Sequence, residues 1–399
     1  MYEVGQEEID AVAAVLRSGQ LFRYRGGEGG QADTCEKKLA ARFGAPHTLV
    51  VTSGTGALIC GLVGMGIGPG DEVIVPAYTW LASAGAILSV GAIPVLAEVN
   101  ETLTLDPDDL ERRIGPRTKA VIPVHMGGRP SDMAAILAIA RKHRLRVLED
   151  ACQAIGGSFK GQALGAIGDA GTFSFNQFKT IACGEGGALL TGDRKLYERA
   201  LYYHDMGCTF RNHAGAMTEE PFLGNTFRMN ELLCAMLRVQ LDRLDGILAR
   251  LRERQRWILD VVRASRAPFA VSPSNDAAGD SGQFATFLFD RAGQRERVAA
   301  RAKEILADCS LASPINSGLH VYTNWTVLLE QKGGFVPAMN PFLRPENREC
   351  RKTITPDCCP RTLEILARTG TIGIAPSLTR EQCEAIAAAL CRAANEVDA

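Results

Sequence analysis

The sequence predicts an α/β protein: a large domain on a mostly parallel sheet with helices on both faces, followed by a smaller C-terminal α+β domain. Three observations carry this. From about residue 48 short β-branched runs alternate with helix-like stretches. Two later strand-like runs, "GTFSFNQ" and "GGALLTG", have no helix between them. One long amphipathic pattern, from about Met229 to Val262, then separates this region from a C-terminal part with a strand and helices of its own.

Taken in order, "HTLVVTS", "DEVIVPA", "AIPVLAEV", "KAVIPVHM" and "LRVLEDA" read as strands, and "GTGALICGLVGMG", "TWLASAGAILSVG" and "SDMAAILAIARKH" as the helices that cross between them. A sheet of this kind binds ligands beyond the carboxyl ends of its strands. The pair "GTFSFNQ" and "GGALLTG" predicts a locally antiparallel neighbour at the end of the sheet, with Lys179 in the connection. The polar stretch Ser272 to Gln283 is a loop, and "FATFLFD", "RERVAARAKEILADC" and "TREQCEAIAAALCRAANEV" build the smaller domain. The expected division is residues 1–245 and 246–399, with the long helix as the link.

Composition narrows the partners. Lysine and arginine number 44 against 45 acidic residues, so no bulk field favours nucleic acid or an anionic membrane, and a small molecule is the expected partner. The first residues lack the order of a signal peptide, and no apolar run approaches the length of a membrane span, so a cytoplasmic location is expected. Twelve cysteines without a C-x-x-C pair read as reduced thiols, and six scattered histidines carry no metal motif, so no metal is expected.

Three motifs carry chemistry. In "VVTSGTGAL" a strand ends and Ser53-Gly54-Thr55-Gly56 opens a helix whose free N–H groups suit an anion; an ordinary capped helix start leaves the same text. In "LRVLEDACQA" Glu149 and Asp150 place carboxylates at the ligand-facing end of a buried strand, where an acid is expensive without a cation; a helix cap is the alternative. Lys179 follows Ser174 and precedes the glycine-rich "GEGG", although a surface lysine reads the same way. Taken together, anion cradle, carboxylate and amine are what pyridoxal 5'-phosphate demands: N–H groups for the phosphate, an acid for the ring nitrogen and an amine for its Schiff base. Trp80, just past "VPAYT", supplies a flat surface for the ring or is a core aromatic.

With "SGTGAL", "GDEVIVPAYTWLAS", "LEDACQAIGG", "GDAGTFSFNQFKT", "GEGGALLT" and "GNTFRMNELLCAMLRVQLDRLD" in order, the chain resembles the DegT/DnrJ/EryC1/StrS family, pyridoxal-phosphate sugar aminotransferases of the type I (aspartate aminotransferase) fold. The resemblance implies that Lys179 is the Schiff-base lysine and Asp150 the partner of the pyridine nitrogen. Gln153 lies beside the cofactor's 3-hydroxyl, Gly54, Thr55 and Ser174 hold its phosphate, and Trp80 stacks on its ring. Asn225 reaches the phosphate of a neighbouring subunit, which implies a homodimer with shared sites. The implied reaction moves an amino group from glutamate or glutamine to a keto or aldehyde carbon of a sugar-like acceptor. A run of uncharged neighbours around Lys179 favours the neutral amine such chemistry needs.

The departures from the family pattern concern the acceptor. The small-domain element appears as "SGLHVYTNW", matching His320 to the family histidine, and "LFRYRGG" is individual to this chain. The text is most similar to the branch that aminates an eight-carbon keto-sugar acid, while branches acting on nucleotide-linked hexoses or cyclitol ketones share much of it. For a keto-acid, Arg23 and Arg25 would grip the carboxylate, with Tyr24, His320, Asn324 and Trp325 as wall residues; a solvated N-terminal loop is the alternative. Two rivals stand beside the aminotransferase. One is a dehydratase of the same fold, which typically has histidine where this chain has Lys179. The other is a non-enzymatic regulator, for which the sequence offers no basic recognition helix.

Overall fold

The structure is a computed structural model that describes residues 3–24, 29–207 and 217–398. The main sheet comprises β1 (His47–Val51), β2 (Glu72–Pro76), β3 (Ile93–Ala97), β4 (Thr118–Val121), β5 (Arg146–Asp150) and, past the short hairpin β6 (Ser158–Phe159) and β7 (Gln162–Ala163), β8 (Ala170–Ser174) and β9 (Gly187–Thr191). Their spatial order is β1-β9-β8-β5-β4-β2-β3. The strands from β8 to β3 are parallel, and β9 is antiparallel to both β8 and β1, as the missing helix between "GTFSFNQ" and "GGALLTG" predicts.

Around this sheet lie α1 (Gln6–Ser18), α2 (Gln31–Phe43), α3 (Gly54–Gly64), α4 (Ala82–Ser89), α5 (Pro107–Arg112), α6 (Met133–His143), α7 (Arg194–His204) and the long α8 (Glu231–Ala264). Side chains alternate along each strand. Val50, Ile74 and Val147 enter a core shared with α2, α6 and α8. Their neighbours Leu49, Val51, Val73, Val75 and Leu148 enter a second core with α3, α4 and α7. Both faces are therefore dry, which is why the strands contain so few polar residues. α3 is the most enclosed helix. Truncating its buried Leu58 to alanine would cost about 2–5 kcal/mol through the cavity left against the sheet.

The C-terminal part contains α9 (Ala292–Ile305), α10 (Thr326–Leu329), α11 (Pro360–Ala367) and α12 (Arg380–Asp398), with a small antiparallel sheet ordered β10 (Ala270–Val271), β11 (Phe284–Leu288), β12 (Thr369–Gly373). The sequence reading places its boundary with the large domain at residue 245. Residue 245 lies inside α8, whose one end packs on α1 and α2 and whose other packs on α12. Residues 314–367 also return to the large sheet: Tyr322, Trp325 and Phe342 join the α3 core, Asn347 donates to the Gly91 carbonyl at 2.9 Å, and Glu98 accepts from the Thr362 N–H at 2.7 Å. The small sheet, α9 and α12 pack on the far part of α8 and continue the core that α8 shares with the large sheet. Among the described residues no helix is long and apolar enough to cross a membrane.

Candidate active site

β5 ends in Asp150, between the ends of β8 and β4. Its carboxylate is 5% exposed. The Ser83 hydroxyl on α4 donates to one oxygen at 2.7 Å and the Cys152 N–H to the other at 3.1 Å. Ser83 in turn lies 2.8 Å from the Thr79 hydroxyl, which must be the donor because the Ser83 proton goes to Asp150. Among the described residues no Lys, Arg or His forms an ion pair with Asp150. A buried carboxylate without a cation is costly, and a protonated nitrogen arriving from a ligand would relieve that cost.

β1, separated from β5 by β8 and β9, runs into α3 through Ser53, whose hydroxyl accepts from the Gly56 N–H at 3.0 Å and caps the helix. The capped-helix reading is thus correct for Ser53, and the N–H groups of Gly54 and Thr55 remain for an anion. Thr55 is exposed, while Ser174, at the end of β8, is buried next to Gly54. A Cβ on Gly54 would stand 2.8 Å from the Ser174 Cβ and 2.9 Å from the Cys152 sulfur, so only glycine allows these three segments to meet.

Lys179 sits half-buried in the loop between β8 and β9. That loop is clipped at its base by Phe175 N–H to Gly186 carbonyl (2.9 Å) and Gln177 N–H to Gly184 carbonyl (3.1 Å), and Gly184 takes φ +94°, a conformation that suits glycine. The positive charge of Lys179 reaches two neighbours. Burial, and secondarily Lys179, hold the pKa of His320 below its ordinary value. Burial and the Asp150 carboxylate raise that of Cys152 well above its own, against the pull of Lys179, so Cys152 stays a thiol.

His320 faces the same space from residues 314–324. Its Nδ1 donates to the Ser317 carbonyl at 3.0 Å, which leaves Nε2 as an acceptor 3.4 Å from the Gln153 amide nitrogen. Gln153 is fixed from behind, its Oε1 accepting from the Gly127 N–H at 3.1 Å. The Trp80 indole, 45% exposed, lies 5.1 Å from the His320 ring at a 57° tilt. Lys179, Asp150, Gln153, Gly54, Ser174, Trp80 and His320 therefore line one region at the carboxyl ends of the strands.

The other expected residues are placed elsewhere. Arg23 is 2% exposed: its guanidinium pairs with Glu36 and donates to the Val50 carbonyl at 2.9 Å, so it locks the N-terminal segment to β1 and is not available to a substrate carboxylate. Tyr24 lies 3.5 Å from His204. Arg25 lies outside the described residues, as do residues 208–216. Trp325 is 0% exposed, its indole N–H donating to the Leu319 carbonyl at 2.7 Å; it anchors the His320 turn from inside the core and is no wall residue. Asn324 is exposed and donates to the Gly318 carbonyl at 2.7 Å, bracing the same turn. Asn225 is exposed, and its amide donates to the Tyr203 hydroxyl at 3.0 Å.

Ser83 and Cys152 line the site without having been singled out in the sequence. For Cys152 the sign was its place between Asp150 and Gln153; for Ser83 no local pattern points at Asp150. The residues present fit pyridoxal phosphate, for two reasons seen in this chain: the uncompensated buried carboxylate of Asp150, and the cradle of Gly54, Thr55 and Ser174 that a side chain on Gly54 would fill.

Residues 3–316 match the model of the DegT/DnrJ/EryC1/StrS aminotransferase family. The spore coat polysaccharide biosynthesis protein SpsC of Bacillus subtilis is 42% identical over 259 residues, 63% of this chain and 65% of SpsC. GDP-perosamine synthase of Caulobacter vibrioides is 42% identical over 220 residues, 55% of this chain and 58% of the synthase. The chain thus spans less than two thirds of the length of these curated relatives. An aminotransferase from Psychrobacter cryohalolentis superimposes with a TM-score of 0.82 at 27% identity, covering 100% of this chain and 99% of that one. The fold is that of the type I pyridoxal-phosphate aminotransferases.

Proposed function

The chain belongs to the DegT/DnrJ/EryC1/StrS aminotransferase family, and on that premise we propose that it moves an amino group from glutamate or glutamine to the carbonyl carbon of a sugar-like acceptor. The family depends on pyridoxal phosphate, which when bound supplies an exchangeable carbonyl and an electron sink. The observation that carries the reading is the buried carboxylate of Asp150, without an ion-pair partner among the described residues, at the same sheet edge as Lys179, whose charge reaches His320 and Cys152.

In this reading Lys179 Nζ would hold the cofactor and, when free of it, would move a proton as general base and acid. Asp150 holds a proton on the ring nitrogen, oriented by Ser83. The N–H groups of Gly54 and Thr55 and the Ser174 hydroxyl bind the phosphate, Trp80 covers the ring, and Gln153 fixes its edge. His320, uncharged at neutral pH, offers Nε2 as a hydrogen-bond acceptor beside Gln153. The dehydratase reading is disfavoured by Lys179 itself. A homodimer is supported by large apolar side chains left exposed: Phe178 beside Lys179, Leu223 two residues before Asn225, and Phe22 in the N-terminal segment.

The acceptor is proposed only as a sugar or sugar-like ketone. GDP-perosamine synthase favours a nucleotide-linked hexose by likeness. The keto-sugar acid reading loses Arg23 as its carboxylate grip, leaving Arg25 as the candidate. The test is a visible spectrum of the cofactor-loaded protein followed by a donor and acceptor screen. Glutamate or glutamine should bleach the absorbance of the cofactor and a keto-sugar should restore it. Failure of every amino donor to bleach it would defeat the aminotransferase reading, whereas bleaching without recovery would defeat only the choice of acceptors. Mixing inactive Lys179→Ala with an impaired Asn225→Ala variant should restore part of the activity if subunits share sites; full activity in a monomer would remove the shared site.

A further inference from the structure

On the far side of the sheet from Lys179, the edge strand β3 faces residues 348–354 across a cavity of about 460 Å³ lined by Pro94, Val95, Leu96, Arg113, Arg351, Lys352, Ile354 and Cys358 among others, with Arg348 on its wall. Its neighbours place it near the amino ends of the strands, opposite the candidate active site. Arg351 binds Glu72, the first residue of β2, through Nε at 3.0 and 3.1 Å, and Thr118, the first of β4, at 3.1 Å. β3 pairs only with β2, so the outer side of its backbone is turned to the cavity, where Pro94 has no N–H to offer.

The charges around this cavity do not balance. In the run Arg348-Glu349-Cys350-Arg351-Lys352 the only carboxylate, Glu349, is taken by Arg117 on the outside, and Arg351 is taken by Glu72. Arg113 is held by Asp109 at 3.1 Å and by the Cys358 carbonyl at 2.9 Å. Arg348 and Lys352 have no carboxylate partner among the described residues. Lys352 is itself one of the residues that line the cavity. Two satisfied guanidinium groups thus frame two unanswered cations, above an apolar wall of Leu96 and Ile354.

We propose that this cavity is a binding site for a small organic phosphate, its dianionic group held between Arg348 and Lys352 and its body laid on the wall formed by Leu96 and Ile354. Two unpaired cations match the charge of one phosphate monoester, and the guanidinium supplies the forked donors that such an oxyanion accepts. The volume exceeds that of a bare phosphate and lies within the range of small-molecule pockets, roughly 300–1,000 Å³. The site is independent of the transamination reading, because none of its residues touches the candidate active site.

The experiment titrates the cofactor-loaded protein calorimetrically with uridine 5'-monophosphate, inorganic phosphate, uridine and succinate, beside the variant Arg348→Gln/Lys352→Gln. Both changed residues reach solvent, so the variant should keep the thermal midpoint and turnover of the parent. The nucleotide should bind the parent and lose at least about tenfold in affinity in the variant, with binding weakened by salt. It should also shield Cys358 from alkylation, read by peptide mapping, in the parent alone. Absence of nucleotide binding, undiminished binding in the variant, or uridine binding as well as its phosphate would each overturn the proposal. Succinate matching the nucleotide would overturn the phosphate assignment.

Discussion

Glu149 and Asp150 are consecutive residues of one strand, both acids and both buried, and they have opposite fates. Glu149 turns to one face of the sheet, where the N–H groups of Gly165 (2.9 Å), Ile167 (2.6 Å) and Gly168 (2.7 Å) donate to it and His125 Nε2 completes the set at 3.0 Å. The His125 Nδ1 accepts from the Ser131 N–H at 3.1 Å, so the proton on Nε2 belongs to Glu149. Asp150 turns to the other face and has one hydroxyl and one N–H. A carboxylate whose lone pairs are filled by fixed donors is a structural element. One left with spare lone pairs in a dry place is poised for a cation that no ion pair among the described residues supplies. The strand's two-residue period makes this division possible within a single dipeptide.

This contrast can be broken by substitution, and the largest effect is expected on the ligand side. Lys179→Ala should reduce turnover to background and abolish borohydride labelling of the loop peptide, with the thermal midpoint of the cofactor-free protein unchanged. Labelling of a different lysine in the parent protein would displace the assignment. Asp150→Asn should lower turnover roughly a thousandfold, since the ring nitrogen loses the partner that keeps it protonated. Folding should be little affected, and near-normal turnover would contradict the role.

Glu149→Ala should behave the other way. Three N–H groups and His125 lose their acceptor, so unfolding in urea should show a loss of about 3–5 kcal/mol, while the folded fraction retains most of its turnover. A variant as stable as the parent but inactive would erase the distinction between the two acids. Ser83→Ala removes one charge-assisted hydrogen bond of about 1.5–3 kcal/mol, which predicts a ten- to hundredfold loss of turnover. The pH at which the cofactor absorbance titrates should move with it, and Ser83→Thr should recover both; a loss of stability alone would make Ser83 a packing residue.

The smallest effect concerns His320. Its pKa in the folded state is depressed by burial and by Lys179, so the unfolded chain binds this proton first as pH falls. The stability it contributes is therefore present above the ordinary histidine value and is lost as pH drops through that value towards the folded one. His320→Asn should flatten the stability-versus-pH curve in that window, and an unchanged curve would show that another group governs it.

The strand-end positions of Asp150, Ser174 and Ser53-Gly54 were legible in the sequence because each is a local transition, from a dry β-branched run to a polar or glycine-rich turn, and the chemistry of a parallel sheet collects such transitions at one edge. The antiparallel β9 was legible for a similar reason: a connection without a crossover helix cannot return the chain parallel. Lys179 needed only its position between these signals. Local text did not show where the long-range partners lie. "FRYR" reads as a solvated basic loop, but Glu36, thirteen residues on, draws Arg23 into the core. "NW" reads as a polar wall, but the Trp325 indole finds the Leu319 carbonyl and is packed away. Nor did local text show that Glu72 in β2 and Glu98 just past β3 bind Arg351 and Thr362, more than 260 residues on.

What the sequence determined by itself, then, was the set of strand ends and the residue types standing on them, because a period of two or 3.6 and the helix caps are set by neighbours a few positions apart. Which of two adjacent acids is spent on structure, which arginine is buried and which is left facing a cavity were decided only in the tertiary structure. Those outcomes depend on donors and carboxylates separated by tens to hundreds of residues, and a buried charge takes its energy from whatever partner the fold brings within hydrogen-bonding distance.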